Sequence, residues 1–117
     1  MTREETGARC RIPAELLWEY ERWGLCSGEG KTPGAWRYDQ KDLDRLSLIT
    51  TLLDAGFTPE ETERYLRLAM SGEETAGERL AMLRRRRNGI LDEIHRKQEQ
   101  LDRLDHLRFT LSRAGGK

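Results

Sequence analysis

Apolar residues recur along this chain at helical spacing, and the spacing changes once. Between residues 14 and 23, Leu16, Leu17, Tyr20 and Trp23 fall three and four apart, which predicts a helix with one buried face that ends at Gly24. Leu43, Leu46, Leu48 or Ile49, Leu52 and Leu53 repeat the pattern, from Asp39 as a capping side chain to Ala55, with Gly56 as the stop. Thr58-Pro59-Glu60-Glu61 combines two start signals. Threonine at the N-cap with glutamate at N3 makes a capping box, and proline at N1 already has a helical φ. Tyr65, Leu66, Leu68 and Met70 follow, and Ser71-Gly72 ends that helix. Residues 3–11 make a weaker first helix with Gly7 inside it, and Pro13 stands in the first turn of the second. Residues 26–34 hold Gly28, Gly30, Pro33 and Gly34 and read as loop. Ala35-Trp36-Arg37-Tyr38 is long enough for one short strand, so a small hairpin or wing is expected there.

From residue 76 to residue 112 there is no proline and the period becomes a heptad. Leu80, Leu83, Ile90, Ile94, Leu101, Leu104 and Leu111 take a or d positions, Arg87, Lys97 and Arg108 interrupt at others, and Leu91 and Leu107 widen the stripe. At 1.5 Å per residue such a helix is a rod of roughly 55 Å, too long to hide its stripe against a small head. A second, identical chain is the simplest cover, with Leu80, Leu83, Arg87, Ile90, Ile94, Leu101, Leu104 and Leu111 as the expected dimer interface. Gly89 lies inside the rod and marks either a close crossing or a break. The expected architecture is all-α with a minimal β wing: a winged helix-turn-helix head over residues 1–72, a coiled-coil dimerisation helix over 76–112, and a tail over 113–117.

Composition agrees with shared burial. Charged residues make up 36% and aromatics 7% of 117 residues, too little apolar mass for a large private core. The formal net charge is zero but uneven, at −1 for residues 1–40, −2 for 41–72 and +3 for 73–117. A head that is slightly acidic needs local clusters of cations if it is to meet nucleic acid. No apolar run approaches a membrane span and no secretory segment is present, so a cytoplasmic protein with reduced thiols is expected.

The reactive side chains are sparse. Cys10 and Cys26 lie sixteen apart, outside zinc-ligand spacing, and read as small buried hydrophobes. His95 and His106 share a helical face, either as a pH or metal switch or as flanking polar residues. Arg84-Arg85-Arg86-Arg87 points around more than one face, which suits a solvated turn or contact with DNA or an acidic partner. Trp18 and Trp36 suit either stacking on a ligand or base, or packing between helix and wing. There is no phosphate loop, nucleophile elbow or isolated carboxylate pair, so no catalytic residue, metal or cofactor is expected.

In order and spacing the parts resemble the MerR family of transcription regulators. Tyr20-Glu21-Arg22-Trp23-Gly24-Leu25 is similar to that family's Tyr-Glu-Arg-x-Gly-Leu, and Gly34-Ala35-Trp36-Arg37-Tyr38 to the Gly-x-Arg-x-Tyr of its wing. Asp42-Leu43-Asp44-Arg45-Leu46 and Gly56-Phe57-Thr58-Pro59-Glu60-Glu61 resemble its third helix, Gly-Phe turn and capped fourth helix. The resemblance implies a homodimer joined by an antiparallel coil that binds promoter double-stranded DNA and distorts it. Residues 14–23 would face the major groove and residues 31–38 would form the wing. It implies DNA contacts from Arg9, Arg11, Trp18, Tyr20, Arg22, Lys31, Trp36, Arg37 and Tyr38, and leaves the effector open. Trp18 and Glu19 stand where the family carries arginine and tyrosine, Trp36 where it carries the wing arginine, and Thr6 where it carries leucine. Tryptophan cannot fork onto phosphate as arginine does. The alternative is therefore a degenerate relative that acts as a protein-interaction and dimerisation module, with DNA binding weakened or lost.

Overall fold

The computed structural model describes residues 1–115, and the last two residues of the expected tail, 116 and 117, lie outside it. Five α-helices are described: α1 (Arg3–Cys10), α2 (Ala14–Arg22), α3 (Gln40–Asp54), α4 (Pro59–Ser71) and α5 (Ala76–Gly115), with a 3₁₀ turn at Glu73–Thr75 before the last. Met1–Arg79 forms one compact unit, and the chain from Leu80 onward forms a second.

Three of the helix starts follow one chemical rule. Thr2 with Glu5, Asp39 with Asp42, and Thr58 with Glu61 each close a reciprocal capping box on α1, α3 and α4. The box satisfies two orphan N–H groups at each start. It also explains why α1 forms despite its poor apolar pattern. Glu5 N donates to Thr2 Oγ1 at 3.2 Å, and Arg11 ends the helix in the left-handed region at φ 54°. Thr6, in the place of a core leucine, is buried and returns its hydroxyl proton to the carbonyl of Thr2 at 2.8 Å.

Leu17, Leu46, Ile49, Leu52 and Leu66 form the centre of the head, with Phe57 set edge-on to Tyr65 at 6.4 Å between centroids. Each such aliphatic side chain contributes about 1.5–3 kcal/mol when removed from water. Tyr20, Trp36 and Tyr38 extend this core under the loop before α3. That loop is where the structure departs from expectation. Ala35-Trp36-Arg37-Tyr38 forms no strand, and none occurs among the described residues. Its backbone groups are used elsewhere: Arg37 N reaches Gly30 O at 2.7 Å, Ala35 N reaches Thr32 O at 2.9 Å, and Tyr38 exchanges both of its backbone bonds with Met1. With no neighbouring strand to ladder onto, the wing is a loop held from both sides.

α5 continues past Ser112 to Gly115 and runs through Gly89 without a break. None of its residues is buried, and its apolar stripe lies open from Leu80 at 45% exposure to Leu111 at 75%. No helix among the described residues is long and apolar enough to cross a membrane.

The capping box on α4 gives a direct check. Thr58→Ala should destabilise the protein by about 1 kcal/mol in a denaturant titration, and Thr58→Ser should recover most of it.

Candidate nucleic-acid interface

Two carboxylates hold the loop that leads into α3. Glu21, four residues after Leu17 on the inner face of α2, is fully buried. It accepts from Arg3 Nε at 3.0 Å and Arg3 Nη2 at 3.1 Å, from Gly34 N at 2.9 Å, and from the Tyr38 hydroxyl. Asp42, four residues before Leu46 on the inner face of α3, is equally buried. It accepts from the Tyr20 hydroxyl at 2.6 Å, Asp39 N at 3.0 Å, Trp36 Nε1 at 3.4 Å and the Lys31 ammonium, with Arg45 Nη1 at 3.4 Å. A buried carboxylate needs this many donors because its loss of water is otherwise very costly. No buried side-chain nitrogen or oxygen among the described residues lacks a partner.

Charge follows the geometry. Burial pushes the Glu21 carboxyl up, but Arg3, Tyr38 and the Gly34 N–H outweigh it and hold it below the usual glutamate value. Burial first, then their carboxylate partners, raise the Tyr20 and Tyr38 phenols, so both stay protonated donors. Burial pulls the Lys31 ammonium down, but Asp42 and Asp39 reverse that and leave it raised.

The expected DNA-contact residues divide accordingly. Tyr20 and Tyr38 are 1% and 4% exposed with their hydroxyls turned inward, and Trp36 at 4% packs against both. The carboxylates beneath them draw all three rings into the core, with the Tyr38 hydroxyl on Glu21 and the Tyr20 hydroxyl and Trp36 indole N–H on Asp42. Lys31 is also redirected: its ammonium serves Asp42, Asp39 and the carbonyl of Arg37 at 2.7 Å. Arg9, Arg11, Arg22 and Arg37 remain exposed, as does Trp18 at 43%. The outer stripe of α2 carries Ala14, Trp18 and Arg22, with Glu15 and Glu19 beside it.

Arg3, Glu21, Asp42 and Arg45 were not singled out from sequence as a cluster. The available signal was register, since Glu21 and Asp42 each sit one turn from a core leucine. Between α2 and α4 a cavity of about 330 Å³ has Glu19, Glu60 and Glu63 on its walls, and Arg67 Nη2 crosses it to the carbonyl of Trp23 at 2.6 Å. Cys10 is exposed, not buried as expected, because α1 turns that face outward, and Cys26 is half-buried; both thiols are free. His95 pairs with Glu99 at 3.1 Å on the open surface of α5, and Arg86 pairs within its own helix with Glu93 at 2.8 Å. No group of three or more His, Cys, Asp or Glu side chains among the described residues is placed to hold a metal ion.

Comparison with known proteins places this geometry. The pattern defining the MerR HTH family regulatory proteins matches residues 1–69. An uncharacterized HTH-type transcriptional regulator of Haemophilus influenzae is 26% identical over 106 residues, which span 90% of this chain and 78% of that protein. The crystal structure of a MerR family transcriptional regulator from Listeria monocytogenes superposes with a TM-score of 0.70 at 28% identity, over 96% of this chain and 83% of that one. That of HiNmlR, a MerR family regulator lacking the sensor domain and bound to promoter DNA, has the same fold at TM-score 0.69 and 24% identity, over 99% and 94% of the two chains.

The lowered Glu21 pKa predicts an acid-sensitive contribution. A carboxylate whose folded pKa lies below its unfolded value of about 4.3 stabilises the protein above that pH and loses the effect as pH falls through the folded value. Glu21→Gln should cost about 3 kcal/mol at pH 7. It should also flatten the loss of stability between pH 5 and 3, followed by urea denaturation across that range.

Proposed function

The chain belongs to the MerR HTH family of regulatory proteins, and on that premise we propose that it is a DNA-binding transcriptional regulator that acts in the cytoplasm as a homodimer. The observation that carries this reading is the presentation of α2. Its inner face is locked to the core through Leu17, Tyr20 and Glu21, while Ala14, Trp18 and Arg22 remain open along its outer stripe. In a helix-turn-helix the second helix enters the major groove, and neighbouring loops grip the backbone. Arg37 on the wing loop, with Arg9 and Arg11 at the end of α1, supplies the phosphate contacts; Tyr20, Lys31, Trp36 and Tyr38 act indirectly by holding the wing. The α5 stripe of Leu80, Leu83, Arg87, Ile90, Ile94, Leu101, Leu104 and Leu111 pairs with a second copy, since an apolar seam of this length in water calls for a partner. Residues 1–72 act as the DNA-binding head and 76–112 as the dimerisation helix. Two heads on one dimer would read paired half-sites and distort the duplex between them. The family's proteins are transcription regulators, and no enzymatic role is proposed.

One observation favours the interaction-module reading as a runner-up: Glu15 and Glu19 flank Trp18 on the outward side of α2, where phosphate would be repelled.

The four arginines assigned to DNA in each head, Arg9, Arg11, Arg22 and Arg37, make eight per dimer and set the counterion release expected from these contacts. Binding to a duplex from the region upstream of its own gene should fall with salt at a log–log slope of about −7. Arg37→Ala should flatten that slope by about 2 for the dimer. Affinity no higher than for random duplex at physiological salt would sink the regulator reading. Sedimentation of the wild type should report a dimer, and Ile94→Glu with Leu104→Glu should give a monomer.

A further inference from the structure

Trp18 stands at the middle of the outer stripe of α2, one turn after Ala14 and one turn before Arg22. One face of its indole is covered, since the guanidinium of Arg3 lies 3.7 Å from the ring centroid. That guanidinium is itself fixed. It donates through Nε and Nη2 to both oxygens of Glu21, which is buried and also held by Tyr38 and Gly34. The contacts therefore run from the polar core out to the surface and set the plane of the ring. With 43% of the residue exposed, the rest of the indole is a preorganised apolar plate that loses little rotamer freedom on contact.

In the major groove, guanine is read by an arginine or lysine fork and adenine by an asparagine or glutamine amide. An indole offers neither fork nor amide. The apolar group displayed in that groove is the C5-methyl of thymine, and apolar side chains recognise it by contact. The methyl of Ala14 extends the same apolar surface, while Arg22, a turn further on, retains a fork for guanine or phosphate.

We propose that Trp18 is a specificity-determining residue that reads thymine through its C5-methyl, its ring plane held by Arg3. The inference rests on the reading of α2 as the helix that enters the groove. The experiment uses the full chain and a duplex it selects from a random library, and replaces thymines by deoxyuracil one position at a time, which removes only the methyl group. At one or two positions per half-site, wild-type affinity should fall about fourfold, the transfer free energy of one buried methyl. Trp18→Ala should bind the thymine and uracil duplexes equally, and Trp18→Phe should keep part of the preference. Equal wild-type affinity for thymine and uracil duplexes, with the selected duplex still preferred over random DNA, overturns the methyl readout and leaves the DNA-binding reading standing. Selection of no duplex over random DNA overturns both. The wild-type arm decides alone if a Trp18 variant fails to fold, because there the change is made only in the DNA.

Discussion

Two buried carboxylates organise the head of this protein. A carboxylate removed from water must be surrounded by donors, and neither Glu21 nor Asp42 can find enough of them on its own helix. Glu21 therefore draws in α1 through Arg3 and the wing loop through Gly34 and Tyr38. Asp42 draws in α2 through Tyr20 and the same loop through Lys31 and Trp36. The loop has no strand ladder of its own, so these bonds replace one. The demand is cooperative: removing any donor leaves charge unsatisfied, which makes the wing a rigid part of the head.

The same demand determines which residues are free to meet a partner. Tyrosines 20 and 38, Trp36 and Lys31 carry groups suited to nucleic acid, yet all four are spent inside the head. Of the contact residues expected from sequence, arginines 9, 11, 22 and 37 stay outside, with Trp18 braced by Arg3. Over residues 1–72 the head carries a net charge of −3, so bulk charge alone gives it little attraction for a polyanion.

α5 belongs to a different physical regime. It has no buried residue, and its stability rests on helix propensity, on exposed pairs such as Arg86 with Glu93, and on whatever covers the leucine and isoleucine stripe. Arg87, Lys97 and Arg108 interrupt that stripe with charge. Gly89 is accommodated without a break, since one glycine costs only about 1 kcal/mol in a long helix.

Helix positions were legible in the sequence because they depend on nearby residues. The caps at Asp39 and Thr58, the stop at Gly56 and the apolar periods are all local, and the structure has them where the spacing requires. The Thr2–Glu5 box was equally local but lay ahead of a helix with almost no apolar pattern. The fate of the polar side chains was not legible. Whether Tyr38 faces solvent or Glu21, 17 residues away, and whether Lys31 offers its charge outward or to Asp42, 11 residues away, depends on which elements the fold brings together. Periodicity assigns a side chain to a face of its own helix. Only the packed structure determines what lies opposite that face, and a buried charge takes its partners from there.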